Sequence, residues 1–504
     1  EVTARRIDST VRSARPVQTV GGDELERAGI YTLSDAVKRF AGANVRDYGG
    51  IGGMKTVSVR NLGAGHTAVS YDGVTVSNTQ AGQIDLSRFT TDNVQNVTLT
   101  LGEDDDVMQP ARHRASAAVL SITGRKPVFA DGRDWSLRTR VRSGSWGLLS
   151  PQLRYWQRLG DSLTLSLDGT YMRADGRYPY ELPNGAERLT DKRHNTDIYS
   201  WQGEANLYAL LPRGSRLDVK AQWFSSSRGL PGAVILYNTR KSHERMWDEE
   251  FFVQSVYGQD IGRRMKLEAR AKYVSSWNRY ADTDVKYPDG RHVETYRQNE
   301  YYASATIGWF PFRGLALSLA QDAFVNTLSS NTENHAAPRR LTSLTALTAR
   351  WTAGRAEIGA GLVATWATEH VEHGDRPSDR RRLSPSAAFS LRLLRNKALY
   401  LRAMYKHTFR LPAFNDMYYA RSGTSTLVPE KAEELNVGLA WTSRPTGCLA
   451  YVRLTADCFH NSVKDKIVAF PTLYVWKMAN FGKVRINGLD ATIAARVEPS
   501  GGFA

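Results

Sequence analysis

Nowhere in the 504 residues is there a run of about 18 apolar residues, so no segment is a candidate transmembrane helix. That excludes helical spanning of a membrane and leaves crossing by short alternating strands open. There are only two cysteines, Cys448 and Cys458. They lie within one predicted strand, about 33 Å apart, too far for a disulfide. Their even spacing, shared with Ala450, Val452, Leu454 and Ala456, puts them on one apolar face as small hydrophobes. No Walker loop, Gly-x-Gly-x-x-Gly after a strand or nucleophile–base motif appears, so no enzyme is expected. His66, His113, His194 and His407 are scattered, and His370 with His373 falls in a strand-to-loop stretch, so no metal site or cofactor is expected. The acidic run Glu103 to Asp106 reads as a solvated turn rather than a calcium site. No basic block stands out, which makes nucleic acid the least expected partner.

What the chain does have is aromatic and basic. Aromatics are 10%, with 12 Trp and 23 Tyr, against 23% charged residues. An outer-membrane barrel with polar lumen and aromatic girdles has this balance, as do some soluble two-domain proteins. The net charge of +16 suits a solvated surface, or contact with an anionic surface such as lipopolysaccharide or an anionic ligand. Arg339-Arg340 and Arg380-Arg381-Arg382 read as loop rims.

The stretch Phe40 to Asn78 organises the first part. Strands are predicted over Thr56–Arg60, Thr67–Tyr71 and Val74–Ser77, the last two joined by Asp72-Gly73, a strong hairpin signal. Gly49, Gly50, Gly52, Gly53 and Gly63 surround them. Upstream, Asp23 is the expected cap of a short helix stopped by Gly29, and Thr32 or Ser34 of a second over Leu33–Phe40. A short helical piece is expected within Ile84–Phe89, and strands over Val94–Leu101 and Ala117–Thr123.

From Trp135 the period becomes two. Leu163, Leu165, Leu167, Gly169 and Tyr171 alternate with polar residues; so do Leu217 to Trp223, Leu267 to Tyr273 and Leu399 to His407. Connections alternate between tight and long. Tight ones include Leu159-Gly160-Asp161, Ile261-Gly262-Arg263, Thr352-Ala353-Gly354 and Pro445-Thr446-Gly447. Long ones include about 175–195, 228–247, 281–298, 410–429 and 463–475. Short turns at one end and long loops at the other mark an up-and-down membrane barrel. About sixteen strands fit before Pro499, whereas a barrel holding a folded domain needs roughly 22, so the chain is expected to be incomplete at its C-terminus. The expected fold is therefore an antiparallel membrane β-barrel around an N-terminal α+β plug. Its parts are residues 1–20 as an extended arm, 21–127 as the plug and 128–504 as the barrel.

Several motifs carry a family resemblance. They are Val59-Arg60-Asn61-Leu62-Gly63 with Tyr71-Asp72-Gly73-Val74 in the plug, and Phe409-Arg410-Leu411-Pro412 with Leu427-Val428-Pro429-Glu430-Lys431 in the barrel. In this order they resemble the TonB-dependent outer-membrane transporters. Asp47 to Gly53 and Gln80 to Leu86 look like the vitamin B12 receptors of Bacteroidetes-type bacteria; ferric-siderophore receptors share most of these features, and haem receptors fewer. The plug ending departs from the family's glycine-rich form, as Ala115-Ser116-Ala117-Ala118-Val119-Leu120. The resemblance implies a bacterial outer-membrane location. It also implies TonB as the inner-membrane partner, pairing by β-augmentation with Glu1, Val2, Thr3 and Ala4, which look like the tail of a TonB box. The implied ligand is cobalamin or a metal chelate, with a surface lipoprotein as a further partner. Candidate ligand contacts are Asp47, Tyr48, Gln80 and Gln83 on the plug, and Arg410, Asn415, Tyr418 and Tyr419 on the barrel. The alternatives are a passive porin, which needs no plug, and a barrel lipase or protease, which needs a Ser/His/Asp set.

Overall fold

The computed structural model describes residues 12–102, 105–130, 132–234, 242–284, 286–443, 449–472 and 475–497. The first part contains seven strands: β1 Val17–Gly21, β2 Ala43–Asp47, β3 Lys55–Val59, β4 Thr67–Tyr71, β5 Val74–Val76, β6 Val94–Leu101 and β7 Ala118–Gly124. Five form a sheet in the order β1-β6-β7-β4-β5, with β4 and β7 parallel, while β2 and β3 pair separately. Asp72 (φ 48°) and Gly73 (φ 81°) make the predicted β4–β5 turn, which needs two positive φ angles. Helices α1 Gly22–Arg27 and α2 Leu33–Val37 cover the sheet. Leu25, Leu33, Val37, Val57, Val97, Leu99 and Leu120 are buried in its core.

Three local expectations are corrected. Helix α1 is capped by Gly21, and Asp23 lies in its first turn. Helix α2 ends at Val37 rather than Phe40; Thr32 is its cap, accepting from the Asp35 N–H at 3.2 Å. The last part of the expected arm is folded: β1 pairs with β6 from Val17↔Thr100 to Gly21↔Asn96, because Val20 completes the plug core.

The second part is one antiparallel sheet of 16 strands, running from Trp135–Gly144 to Trp476–Val497 with each strand beside its neighbour in sequence. A separate hairpin, Pro179–Asn184 with Glu187–Lys192, decorates one long connection. Alternation assigns the two faces. In the strand His292–Phe312, Gln298, Glu300, Tyr302, Ser304 and Thr306 are buried, while Tyr301, Ala303, Ala305, Ile307 and Trp309 are exposed. The exposed face carries an apolar belt with Trp201, Trp223, Leu319, Leu347, Trp351 and Leu454, as lipid contact requires. Cys458 lies exposed on this face; Cys448 and Pro445–Gly447 are outside the described residues. Two expected loops are shorter than read. The strand after 282 resumes at His292, and Leu449–Pro471 pairs with Trp476–Val497 through most of 463–475. The Lys464-Asp465-Lys466 run, which suggests a loop, instead forms cross-strand partners such as Lys431–Asp465 at 3.0 Å.

The sheet surrounds the plug. Glu26 and Asp92 meet Arg138 and Arg142 of the first wall strand at 2.7 and 2.6 Å, and Arg60 meets Asp490 of the last at 2.8 Å. Residues 12–15 sit at the short-turn end: the Ser390 hydroxyl donates to the Arg12 carbonyl at 3.0 Å, and Arg402 to that of Arg15 at 3.3 Å. A plug inside the wall sets the porin reading aside.

Candidate functional site: the plug apex and the 411–429 loop

At the long-loop end the plug presents two tips. One is the turn 78–83. The Asn78 carbonyl accepts from the Gly82 N–H at 2.8 Å and its side chain from the Ala81 N–H at 2.9 Å, the local bonding that favours Asn in turns. The loop after the wall strand Ala398–Arg410 descends onto this turn through backbone bonds. The Phe414 N–H donates to the Thr79 carbonyl at 3.0 Å and the Asn415 N–H to that of Gln80 at 2.9 Å. Glycine permits the approach: a Cβ on Gly82 (φ 69°) would lie 2.7 Å from that of Ala413, and one on Gly65 would lie 2.2 Å from Arg410 Nε.

Of the expected ligand contacts, Gln80, Gln83, Arg410, Asn415, Tyr418 and Tyr419 come together here. Several are already engaged. Gln80 is buried, its side-chain oxygen accepting from Asn278 at 2.9 Å. Arg410 donates to Glu430 at 2.6 Å and Asp416 at 3.1 Å. The Tyr418 hydroxyl donates to Glu369, and Tyr418 and Tyr419 pack against Tyr296, Leu328 and Phe414. Gln83 lines a cavity between plug and wall. Asp47 and Tyr48 belong to the second tip, the β2–β3 turn. There Asp47 accepts from the N–H groups of Gly49 and Gly50 at 3.0 and 2.9 Å. Burial works to raise its pKa, but these bonds and Lys55 hold it below the usual carboxylate value. Tyr48 is half exposed, and Arg228 of the wall donates to the Gly52 carbonyl at 2.7 Å.

Two clusters beneath the apex escaped sequence reasoning. Glu430, fully buried, accepts from His66 of the plug at 2.6 Å, Arg410 at 2.6 Å, Lys466 at 3.2 Å and the Ile467 N–H at 3.0 Å. Burial, with Lys466 and Arg410 nearby, lowers the His66 pKa despite that carboxylate. Glu369 holds Arg340 at 2.6 Å and Arg380 at 3.4 Å; Arg340 also donates to the Pro412 carbonyl at 2.9 Å and lies over Phe414. Buried pairs of this kind stabilise weakly in net terms, yet losing one partner is costly, so they fix where the loop sits. Glu430 stood in a motif already singled out, and inward alternation could have flagged Arg340 and Glu369. Glu1, Val2, Thr3 and Ala4 lie outside the described residues.

A family model described as "TonB dependent receptor-like, beta-barrel" matches residues 65–504, and one for the "TonB-dependent Receptor Plug Domain" matches residues 9–106. The chain belongs to the TonB-dependent receptor family. It is 22% identical to the "Vitamin B12 transporter BtuB" of Vibrio vulnificus, over 97% of this chain and 74% of that protein. Among solved structures, the FrpB iron transporter of Neisseria meningitidis (F5-1 variant) aligns with TM-score 0.74 at 12% identity, covering 96% of this chain and 78% of that one. The Serratia marcescens hemophore receptor HasR aligns with TM-score 0.73 at 13% identity, covering 97% and 80%. The copper transporter OprC aligns with TM-score 0.72 at 14% identity, covering 94% and 75%. This TonB-dependent receptor is thus an outer-membrane transporter of a large solute, with TonB as its partner.

Proposed function

We propose that this receptor takes up cobalamin, and that it is of the Bacteroidetes type. The observation that carries the ligand choice is the match along 97% of the chain to a protein named as a vitamin B12 transporter. The glycine-rich Asp47–Gly53 tip and the Gln80–Leu86 segment support the same reading. A broad, polar ligand would rest across both plug tips, touching Asp47, Tyr48, Gln80 and Gln83 below and Asn415, Tyr418 and Tyr419 beside it. Arg410 would act by holding the loop. Energy would enter through Glu1 to Ala4, paired with TonB as an added strand. Lipopolysaccharide suits the surplus of 67 Lys and Arg over 51 Asp and Glu, and a surface lipoprotein would close the site. The same surplus favours a second reading, a ferric-siderophore or haem receptor for an anionic chelate.

The test is calorimetry on the full chain in detergent micelles, with cyanocobalamin, haem and ferric enterobactin as probes. Saturable heat from cyanocobalamin alone is expected. Tight siderophore binding with no cobalamin heat would reverse the choice. Deleting residues 1–6 should leave binding intact and abolish energised uptake.

A further inference from the structure

The outer face of the wall is hollowed in one place. Across the strands His292–Phe312, Leu315–Ser330, Arg339–Ala353 and Ala356–His370 it holds an open groove of about 530 Å³. Cross-strand register explains the hollow. Leu317 pairs with Trp309 on one side and Ala349 on the other, and Ala349 pairs with Ala360, so half of that row is alanine. The next row away from the short turns is Ile307, Leu319, Leu347 and Leu362, which forms the far side of the groove. Trp309 and Trp351, both exposed, stand toward the short turns, where an aromatic girdle meets the headgroups. The lining is apolar but for Ser318 and Thr348, which are buried. Such a surface suits an acyl chain rather than a polar solute.

The foot of the groove is charged. The turns 312–315 and 353–356 close the two hairpins that form it, and the Thr352 N–H donates to the Gly314 carbonyl at 2.7 Å, which ties them together. The approach requires glycine: a Cβ on Gly314 (φ 97°) would lie 2.4 Å from the Thr352 carbonyl oxygen. Each turn carries one exposed arginine, Arg313 and Arg355, and among the described residues neither guanidinium has a hydrogen bond or ion pair. Two strand spacings put the turn centres about 10 Å apart, a gap that two arginine side chains can close on one phosphate. The charge is local to this part of the wall. Short turns 261–264, 312–315, 353–356 and 393–397 together hold six Lys or Arg and no Asp or Glu, whereas 159–162 and 211–215 hold Asp161 and Arg213.

We propose that this groove binds one anionic phospholipid of the leaflet on the short-turn side, with an acyl chain along Ala349 and Ala360 and the phosphate between Arg313 and Arg355. Basic side chains just outside an apolar slot select anionic headgroups, whereas a headgroup with its own ammonium gains less from them. The proposal needs only that the wall stands in a membrane, whatever the transported solute. The test is native mass spectrometry of the full chain, released from micelles after titration with phosphatidylglycerol or with phosphatidylethanolamine of the same acyl chains. One phosphatidylglycerol should stay on each receptor at concentrations where phosphatidylethanolamine does not. Arg313→Gln combined with Arg355→Gln should weaken that binding about tenfold. Arg263→Gln combined with Arg264→Gln, the same loss of charge one hairpin away, should leave it unchanged. Ala349→Phe, which fills the groove from a half-exposed position, should weaken it as the first pair does. Equal retention of the two lipids, an equal loss in both arginine pairs, or full binding in Ala349→Phe would overturn the proposal. So would a dimer that Ala349→Phe dissolves, because the groove would then belong to a second copy of the chain.

Discussion

The plug meets its wall in two different ways. Against the strands from Leu148 to Leu230 the contact is ionic. Glu204 accepts from Tyr71 at 2.7 Å, Asn93 at 2.9 Å, Asn206 at 2.8 Å and Lys220 at 2.6 Å, and Arg154 pairs with Asp168 at 2.6 Å. Against Leu315–Ser330 and Arg339–Ala353 the contact is mixed: Asp322 accepts from the N–H groups of Ala111 and Arg112 at 3.2 and 2.8 Å, Ala320 and Ala346 pack under Ala111, the Thr342 hydroxyl has no partner, and a cavity lies beside them. On the first side, moving the plug breaks several charged hydrogen bonds at once.

That contrast can be broken at several points. The largest effect is expected from Glu430→Gln, which leaves Arg410, Lys466 and their neighbours around a neutral amide; a loss of about 3–5 kcal/mol should appear in thermal unfolding in micelles. Lys220→Met should cost less, about 1–3 kcal/mol in the same assay, because Glu204 keeps its three neutral donors. A Lys220 variant costing more than the Glu430 one would show that the three neutral donors on Glu204 do not make up for the lost charge.

Protonation acts only at acid pH. His113 is buried in the plug; burial first, then the charges of Arg270, Arg112 and Arg114, lowers its pKa from 6.5 to about 3. The unfolded chain therefore takes up this proton before the folded one. Its stabilising contribution is whole above pH 6.5 and is lost as pH falls toward 3, by at most about 1.4 kcal/mol per pH unit. His113→Gln should flatten the dependence of unfolding midpoint on pH over that window. The smallest effect belongs to Thr342→Val, within about 0.5 kcal/mol, because an unpaired hydroxyl replaced by a methyl of the same shape loses no bond. A large destabilisation there would show that the hydroxyl is paired after all and would remove the contrast.

Much of this architecture was legible in residue order. Thr67–Tyr71 and Val94–Leu101 have the predicted bounds, because alternation and turn residues act over a few positions. The 410–429 connection and the sixteen-strand count follow for the same reason. The clusters around Glu430 and Glu369 did not, since His66 and Glu430 are 364 residues apart and no local pattern joins them. Arg410 shows the limit from the other side. It was singled out as a ligand contact, yet its guanidinium is spent on Glu430 and Asp416, and a side chain's commitments depend on neighbours brought by the fold.

The exposed ladder of the strand His292–Phe312 has a consequence for the lipid around it. Tyr301 and Trp309 stand eight residues apart with only Ala303, Ala305 and Ile307 between them on that face. At about 3.3 Å per residue and a tilt of about 40°, the two rings sit roughly 20 Å apart along the membrane normal. They act as depth marks. Short-chain lipids would match them, while long-chain lipids would have to thin around the protein or tilt it, and its surroundings would be sorted accordingly.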